Sequence, residues 1–276
     1  MKNLTQRVLM ALWGIPLILL LSYLGGYYFL ALILLINGMS LWEFYTIYQK
    51  QNLRAYRKLG VILSSMLILV DFWWSLDAMF TGFLIIMLFI LFRHLRLSEP
   101  TSSMNSILTT AGIFYISLFL STLLRVRINI DSWMGWDPIF MAGGKYFLLV
   151  WISIWICDTA AYFGGRAVGK HKLAPRTSPN KTVEGAVFGF IGSIITFYIV
   201  TPLLVPQLPI LHMWLSILIV GVFGQLGDLV ESRFKRDAGV KDTSAILPGH
   251  GGFLDRFDSV IFVSPFIFIL FYYLRP

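Results

Sequence analysis

Five carboxylates in the second half of the chain stand where an apolar sequence should avoid them. Asp158 lies in WISIWICDTAAYFGGR, Asp228 and Glu231 in GQLGDLVES, and Asp255 and Asp258 in GGFLDRFD. Ionisable groups within apolar segments are costly and ordinarily line a polar cavity. Asp228 and Glu231 are three residues apart, as are Asp255 and Asp258, so on a helix each pair shares a face. A group of anions so placed repels itself unless cations neutralise it. Mg2+ held by one or two carboxylates together with substrate phosphates is the expected solution. Asp158 taken alone also fits an interfacial residue paired with a nearby Lys or Arg.

The counter-charges lie in two polar stretches. GGRAVGKHKLAPRTSPNKTVEG, residues 164–185, carries five Lys or Arg residues against one acid, Glu184. Residues 231–258 carry Arg233, Lys235, Arg236, Lys241, His250 and Arg256. Basic groups among small neighbours suit phosphate oxygens. A solvated basic loop is the plain alternative, but it does not call for TSPNKT or PGHGG.

Other constellations fall away. GGRAVGKH at 164–171 has the spacing of a phosphate-binding P-loop, but His171 replaces the required Ser or Thr, and a hydrophobic helix precedes it in place of a strand. Four His and one Cys supply no recognisable zinc spacing. Cys157 reads as a small buried or lipid-facing residue. His250 stands between Gly249 and Gly251, which let a ligand approach the backbone. Without a clear partner, it suits a donor to phosphate or an organiser of the loop better than a nucleophile. The first 145 residues offer little chemistry, and Glu43 is expected at the cytoplasmic interface.

The elements that must position these residues are hydrophobic helices. Of the 276 residues, 57% are hydrophobic and 13% charged, about half the charge of a soluble domain. Nine apolar runs are candidates for crossing a bilayer, at about 8–24, 27–47, 60–76, 79–92, 106–124, 146–163, 185–204, 210–230 and 259–274. The third and fourth are the least distinct, because Asp71, Asp77 and several aromatics blur their junction. The first run exceeds the apolar region of a signal peptide, and no small-residue cleavage site follows it, so it reads as a retained span. No internal repeat or long linker is visible. The expected fold is a single all-α integral membrane domain over 1–276, with 1–145 as helical scaffold and 146–276 as the catalytic half. With nine spans, 18 of the 22 Lys and Arg residues fall on the side of the N-terminus. That bias places the N-terminus in the cytoplasm and the C-terminus outside.

The run SRFKRDAGVKDTSAILPGHGGFLDRFD, residues 232–258, resembles the signature of the phosphatidate cytidylyltransferases, or CDP-diacylglycerol synthases. Ser232, Lys235-Arg236, Lys241-Asp242, Pro248-x-His250-Gly251-Gly252 and Asp255-Arg256-x-Asp258 all stand at the family's spacing, with no departure. Asp158, Lys170, Pro175, Ser178-Pro179, Lys181-Thr182 and Glu184-Gly185 resemble the family's second polar region. The specific resemblance covers 158–258; residues 1–145 share only hydropathy and span count.

The resemblance implies that phosphatidate and CTP give CDP-diacylglycerol and pyrophosphate with Mg2+, within an all-helical, often dimeric membrane fold. A bacterial cytoplasmic membrane is the expected location. CTP, phosphatidate, the lipid bilayer and a second copy are the expected partners, and nucleic acid is not. Asp228 and Asp255 are expected as metal ligands, with room for a second cation. Asp228, Asp255, Asp258, Lys241 and His250 form the expected catalytic set, and Asp158 is a further ligand or orienting candidate. Lys170, Arg176, Ser178, Lys181, Lys235, Arg236 and Arg256 are expected to bind substrate, without a division between CTP and phosphatidate. Two rivals remain: a CTP-using enzyme with another lipid acceptor, including a CTP-dependent lipid-alcohol kinase, and a transporter with an anion site. The one-sided polar cluster and the absence of a repeat disfavour the transporter.

Overall fold

The structure, a computed structural model, describes residues 2–96, 102–244 and 251–275, leaving the side chains of residues 2–11 and 102 undescribed. It is helical apart from one small hairpin. The helices are α1 (Lys2–Leu24), α2 (Gly26–Ile47), α3 (Arg57–Trp73), α4 (Leu76–Leu95), α5 (Ser102–Gly112), α6 (Phe119–Trp133), α7 (Ala142–Val168), α8 (Val183–Leu204), α9 (Ile210–Leu218), α10 (Gln225–Asp237) and α11 (Leu254–Tyr273). π-Helical turns at Ile113–Leu118 and Ile219–Gly224 fuse α5 to α6 and α9 to α10. Helices are the natural outcome for such a sequence, since backbone groups in lipid must be satisfied within the segment.

Each of the nine expected runs falls on one of these helices or fused helix pairs. Six of the described helical segments are long and apolar enough to cross a membrane: Gly26–Gln51, Leu76–Leu95, Ser103–Trp133, Ala142–Val168, Val183–Leu204 and Ile210–Asp237. The α3 helix is 17 residues long, and α11 starts with Asp255, Arg256 and Asp258 in its first turns. The all-α expectation is modified only by β1 (Lys172–Ala174) and β2 (Ser178–Thr182), an antiparallel pair between α7 and α8.

In the first half, polar side chains tie helices together. Asn37 on α2 donates to Ser64 Oγ on α3 at 2.9 Å and accepts from Ser117 Oγ at 2.6 Å. Arg125 on α6 pairs with Asp71 on α3 at 2.6 Å. Arg127 donates to the carbonyls of Ser22 and Tyr23 at the end of α1. The α11 helix crosses between the halves, packing on α2, α6 and α10. In the second half, α7 and α8 lie so close that a Cβ added at Gly189 would stand 3.0 Å from both Ala161 Cβ and Cys157 O. Small residues permit this approach. Ser153 and Ser193 hydrogen-bond across the same contact at 3.0 Å. Cys157 is buried, as expected.

Candidate active site

The polar face of α10 follows directly from its sequence. Asp228, Glu231, Ser232 and Lys235 recur at spacings of three and four, which puts them along one side of the helix. The π turn at 219–224 ends just before this stripe, and such turns frequently mark functional sites. Gln225 donates to Ala186 O at 3.1 Å, tying the start of α10 to α8. Ser259 Oγ donates to Gly224 O at 3.1 Å, tying it to α11.

The hairpin is locked by its neighbours. Glu184 at the start of α8 accepts from the backbone N–H of Lys170 at 3.0 Å and of His171 at 3.2 Å, and lies 2.6 Å from His171 Nδ1. Thr182 caps α8 by accepting from Gly185 N at 3.1 Å, which fits its place as the residue before the helix. Arg236 donates to Thr177 O and Val240 O, fastening the hairpin turn to the end of α10. The P-loop spacing at 164–171 therefore spans the end of α7 and the approach to β1, consistent with rejecting a nucleotide P-loop there.

A cavity of about 740 Å3 opens between α7, the hairpin, α8, α10 and α11. Asp158, Lys181, Asp228, Lys235, Asp255, Arg256 and Asp258 all line it, so the structure gathers seven of the residues singled out from sequence. Trp151, Ile154, Trp155 and Val260 give it an apolar wall. Asn180 and Thr182, from the 176–182 stretch expected to bind CTP or phosphatidate, also line it, as do Gln225 and Asp242. Lys170, Arg176, Ser178, Arg236 and Lys241 do not line this cavity. His250 lies outside the described residues.

The carboxylates sort into two sets. One oxygen each from Asp228, Glu231 and Asp258 lie within 4.8 Å of one another. Asp228 Oδ2 is 2.5 Å from Lys181 Nζ, and its Oδ1 accepts from Ser232 Oγ at 3.2 Å. Glu231 is fully buried. Its Oε2 is 2.5 Å from Lys235 Nζ, and its side chain also meets that of Asp255. An all-oxygen set of three carboxylates this close together fits a hard divalent cation such as Mg2+.

Asp255 belongs to the other set. It accepts from Lys235 Nζ at 2.7 Å, Thr243 N at 3.2 Å and Gly252 N at 2.8 Å, and faces Thr243 Oγ1 at 3.1 Å. The expected metal pair was Asp228 and Asp255. The geometry instead groups Asp228 with Glu231 and Asp258, and gives Asp255 a full set of protein donors. Lys235, expected on substrate phosphate, bridges Glu231 and Asp255.

The largest surprise is Glu43. It is 1% exposed, and it accepts from Thr243 Oγ1, Ser244 Oγ, Phe253 N and Leu254 N. The available signal was its position in GMSLWEFY, an acid within an apolar helix.

The sequence matches the cytidylyltransferase family over residues 5–274. It is 34% identical to a phosphatidate cytidylyltransferase of Bacillus subtilis, with 98% of each chain covered. It is 42% identical to one of Staphylococcus saprophyticus over 68% of this chain and 67% of the relative. A phosphatidate cytidylyltransferase of Staphylococcus epidermidis is 52% identical over 46% of this chain, which spans 49% of that relative.

Proposed function

The chain belongs to the cytidylyltransferase family, and from that premise we propose that it joins CTP to phosphatidate, forming CDP-diacylglycerol and pyrophosphate. The observation that carries this reading is one cavity in which Asp228, Asp258, Lys181 and Arg256 meet an apolar wall of Trp151, Ile154 and Trp155, with Glu231 buried beside the two aspartates. A nucleotide and a lipid phosphate require both surfaces at the same depth.

A phosphate oxygen of phosphatidate attacks the α-phosphorus of CTP. The new P–O bond forms as the bond to the β-phosphate bridging oxygen breaks, and pyrophosphate leaves with that electron pair. The attacking phosphomonoester is already largely dianionic near neutral pH, since its second pKa is about 6. No side chain is therefore needed to create the nucleophile. Catalysis consists of bringing two anions together and stabilising charge on the transferring group.

Lys181 presents its ammonium at the cavity wall, oriented by Asp228, and faces the phosphate chain. Arg256, on the first turn of α11, approaches from another wall. Asp228, Glu231 and Asp258 are the residues to hold Mg2+. Held there, Mg2+ would supply positive charge toward the CTP phosphates and the pyrophosphate leaving group. Lys235 holds Glu231 and Asp255 in place beside the cavity. The apolar wall accommodates the glycerol and the start of the acyl chains.

We place the cavity on the cytoplasmic side of a nine-span bacterial membrane protein, with the N-terminus in the cytoplasm and the C-terminus outside. The 18-to-4 division of Lys and Arg supports that orientation. A cysteine introduced at exposed Lys172 should react with an impermeant maleimide only from the cytoplasmic face; native Cys157 is buried. Labelling from outside in intact cells would reverse the orientation.

The activity is tested with purified full-length protein in detergent, supplied with CTP, phosphatidate and Mg2+ and then with each omitted in turn. Equimolar CDP-diacylglycerol and pyrophosphate should form only with all three. CDP with a phosphorylated lipid would instead mark a CTP-dependent kinase.

A further inference from the structure

Glu43 sits on α2, in the first half of the molecule. Its two carboxylate oxygens receive four donors from two separate stretches. Oε1 accepts from Ser244 Oγ at 2.5 Å and Phe253 N at 2.8 Å, and Oε2 from Thr243 Oγ1 at 2.9 Å and Leu254 N at 2.8 Å. Two of these donors are the backbone amides at the start of α11, which have no partner within their own helix. A carboxylate at that point also complements the positive end of the helix dipole. Glu43 thus acts as a cap borrowed from a residue more than 200 positions away.

The contact continues toward the cavity. Thr243 Oγ1 lies between Glu43 Oε2 and Asp255 Oδ2, at 2.9 and 3.1 Å. Asp255 holds Lys235, and Lys235 holds Glu231 of the acidic trio. The space around the carboxylate is filled: a Cβ added at Gly252 would stand 1.8 Å from Thr243 Oγ1 and 2.6 Å from Glu43 Oε2.

We propose that Glu43 is a positioning residue for the cytidylyl transfer: it docks the first turn of α11 onto α2 and so fixes where Asp255, Arg256 and Asp258 stand in the cavity. This rests on the cavity being the site of that reaction. A buried carboxylate that served only the packing of α2 would not need to meet both sides of the 243–254 segment. Nor would it need to share a hydroxyl with Asp255.

Glu43→Gln keeps the shape but presents an amide NH2 to one of the two backbone N–H groups in either orientation. Thr243→Val keeps the volume and removes the shared hydroxyl. Both full-length variants are purified in detergent beside wild type. Hydrogen–deuterium exchange is followed across the chain, and turnover with CTP, phosphatidate and Mg2+ is measured. Glu43→Gln should raise exchange at least tenfold in a peptide covering 251–258, leave α3 and α4 protected as in wild type, and lower kcat by about 100-fold, the scale of a misplaced catalytic group. Thr243→Val should lower kcat by roughly 10-fold, and the double variant should fall no further than Glu43→Gln alone, as expected of residues acting through one chain of contacts. Wild-type exchange at 251–258 with wild-type turnover would overturn the proposal, as would multiplicative losses in the double variant. If Glu43→Gln does not fold, Thr243→Val decides: full turnover overturns the proposal, and reduced turnover with normal melting sustains it. A wild-type protein that makes no CDP-diacylglycerol would sink the functional reading instead, while the exchange result would still report on the docking.

Discussion

The two halves of the molecule bury polar side chains in opposite ways. In α1 to α6 those groups close on one another across helices: Asn37 with Ser64 and Ser117, Arg125 with Asp71, Arg127 with the carbonyls ending α1. In α7 to α11 the carboxylates Asp158, Asp228, Asp255 and Asp258 crowd a cavity, with Glu231 buried beside them. Polarity within membrane helices is therefore not by itself a sign of chemistry. Groups that satisfy each other across helices hold them together, whereas carboxylates and cations gathered around open volume leave room for a ligand.

The contrast breaks most sharply at the acidic trio. Asp228→Asn should lower kcat by about 1,000-fold, close to 4 kcal/mol of transition-state stabilisation, with the melting temperature in detergent kept. A variant that merely unfolds would erase the distinction. Lys181→Met should cost about 100-fold in kcat/KM for CTP, and a steady-state titration of CTP reads it. In the other half, Arg127→Met removes the cation that holds two carbonyls of α1 and lies 4.0 Å from Asp131. It should destabilise by about 3 kcal/mol while the folded fraction turns over normally. Asn37→Ala should cost roughly 0.6 kcal/mol, the ordinary worth of an interhelical hydrogen bond in a membrane protein, seen as a small drop in melting temperature with unchanged kcat.

Much of this was legible in the sequence because hydrophobic periodicity and charge are local properties. Every expected apolar run falls on a helix, and the three-residue spacing of Asp228 and Glu231 correctly put them on one face. Pairing between distant segments was not legible. Asp255 and Asp258 look equivalent in DRFD, yet the backbone amide of Gly252 and the ammonium of Lys235 engage one, and the other turns to Asp228 and Glu231. Arg236 was expected on phosphate because it is basic and in a signature; that Thr177 O lies within its reach depends on how the hairpin folds back. The partners of Glu43 were not legible because they lie 200 or more residues away in the chain.

The most direct test sets one carboxylate from each half side by side. Asp258→Asn and Asp71→Asn replace the same carboxyl by an amide at two buried positions, 7% and 0% exposed. Melting in detergent and turnover with CTP, phosphatidate and Mg2+ are measured on both. Asp258→Asn should melt like wild type and lose turnover by at least about 100-fold. Asp71→Asn should melt lower by the equivalent of about 3 kcal/mol and keep its kcat where it is folded. Equal losses of stability and turnover in the two variants would contradict the division of labour between the halves.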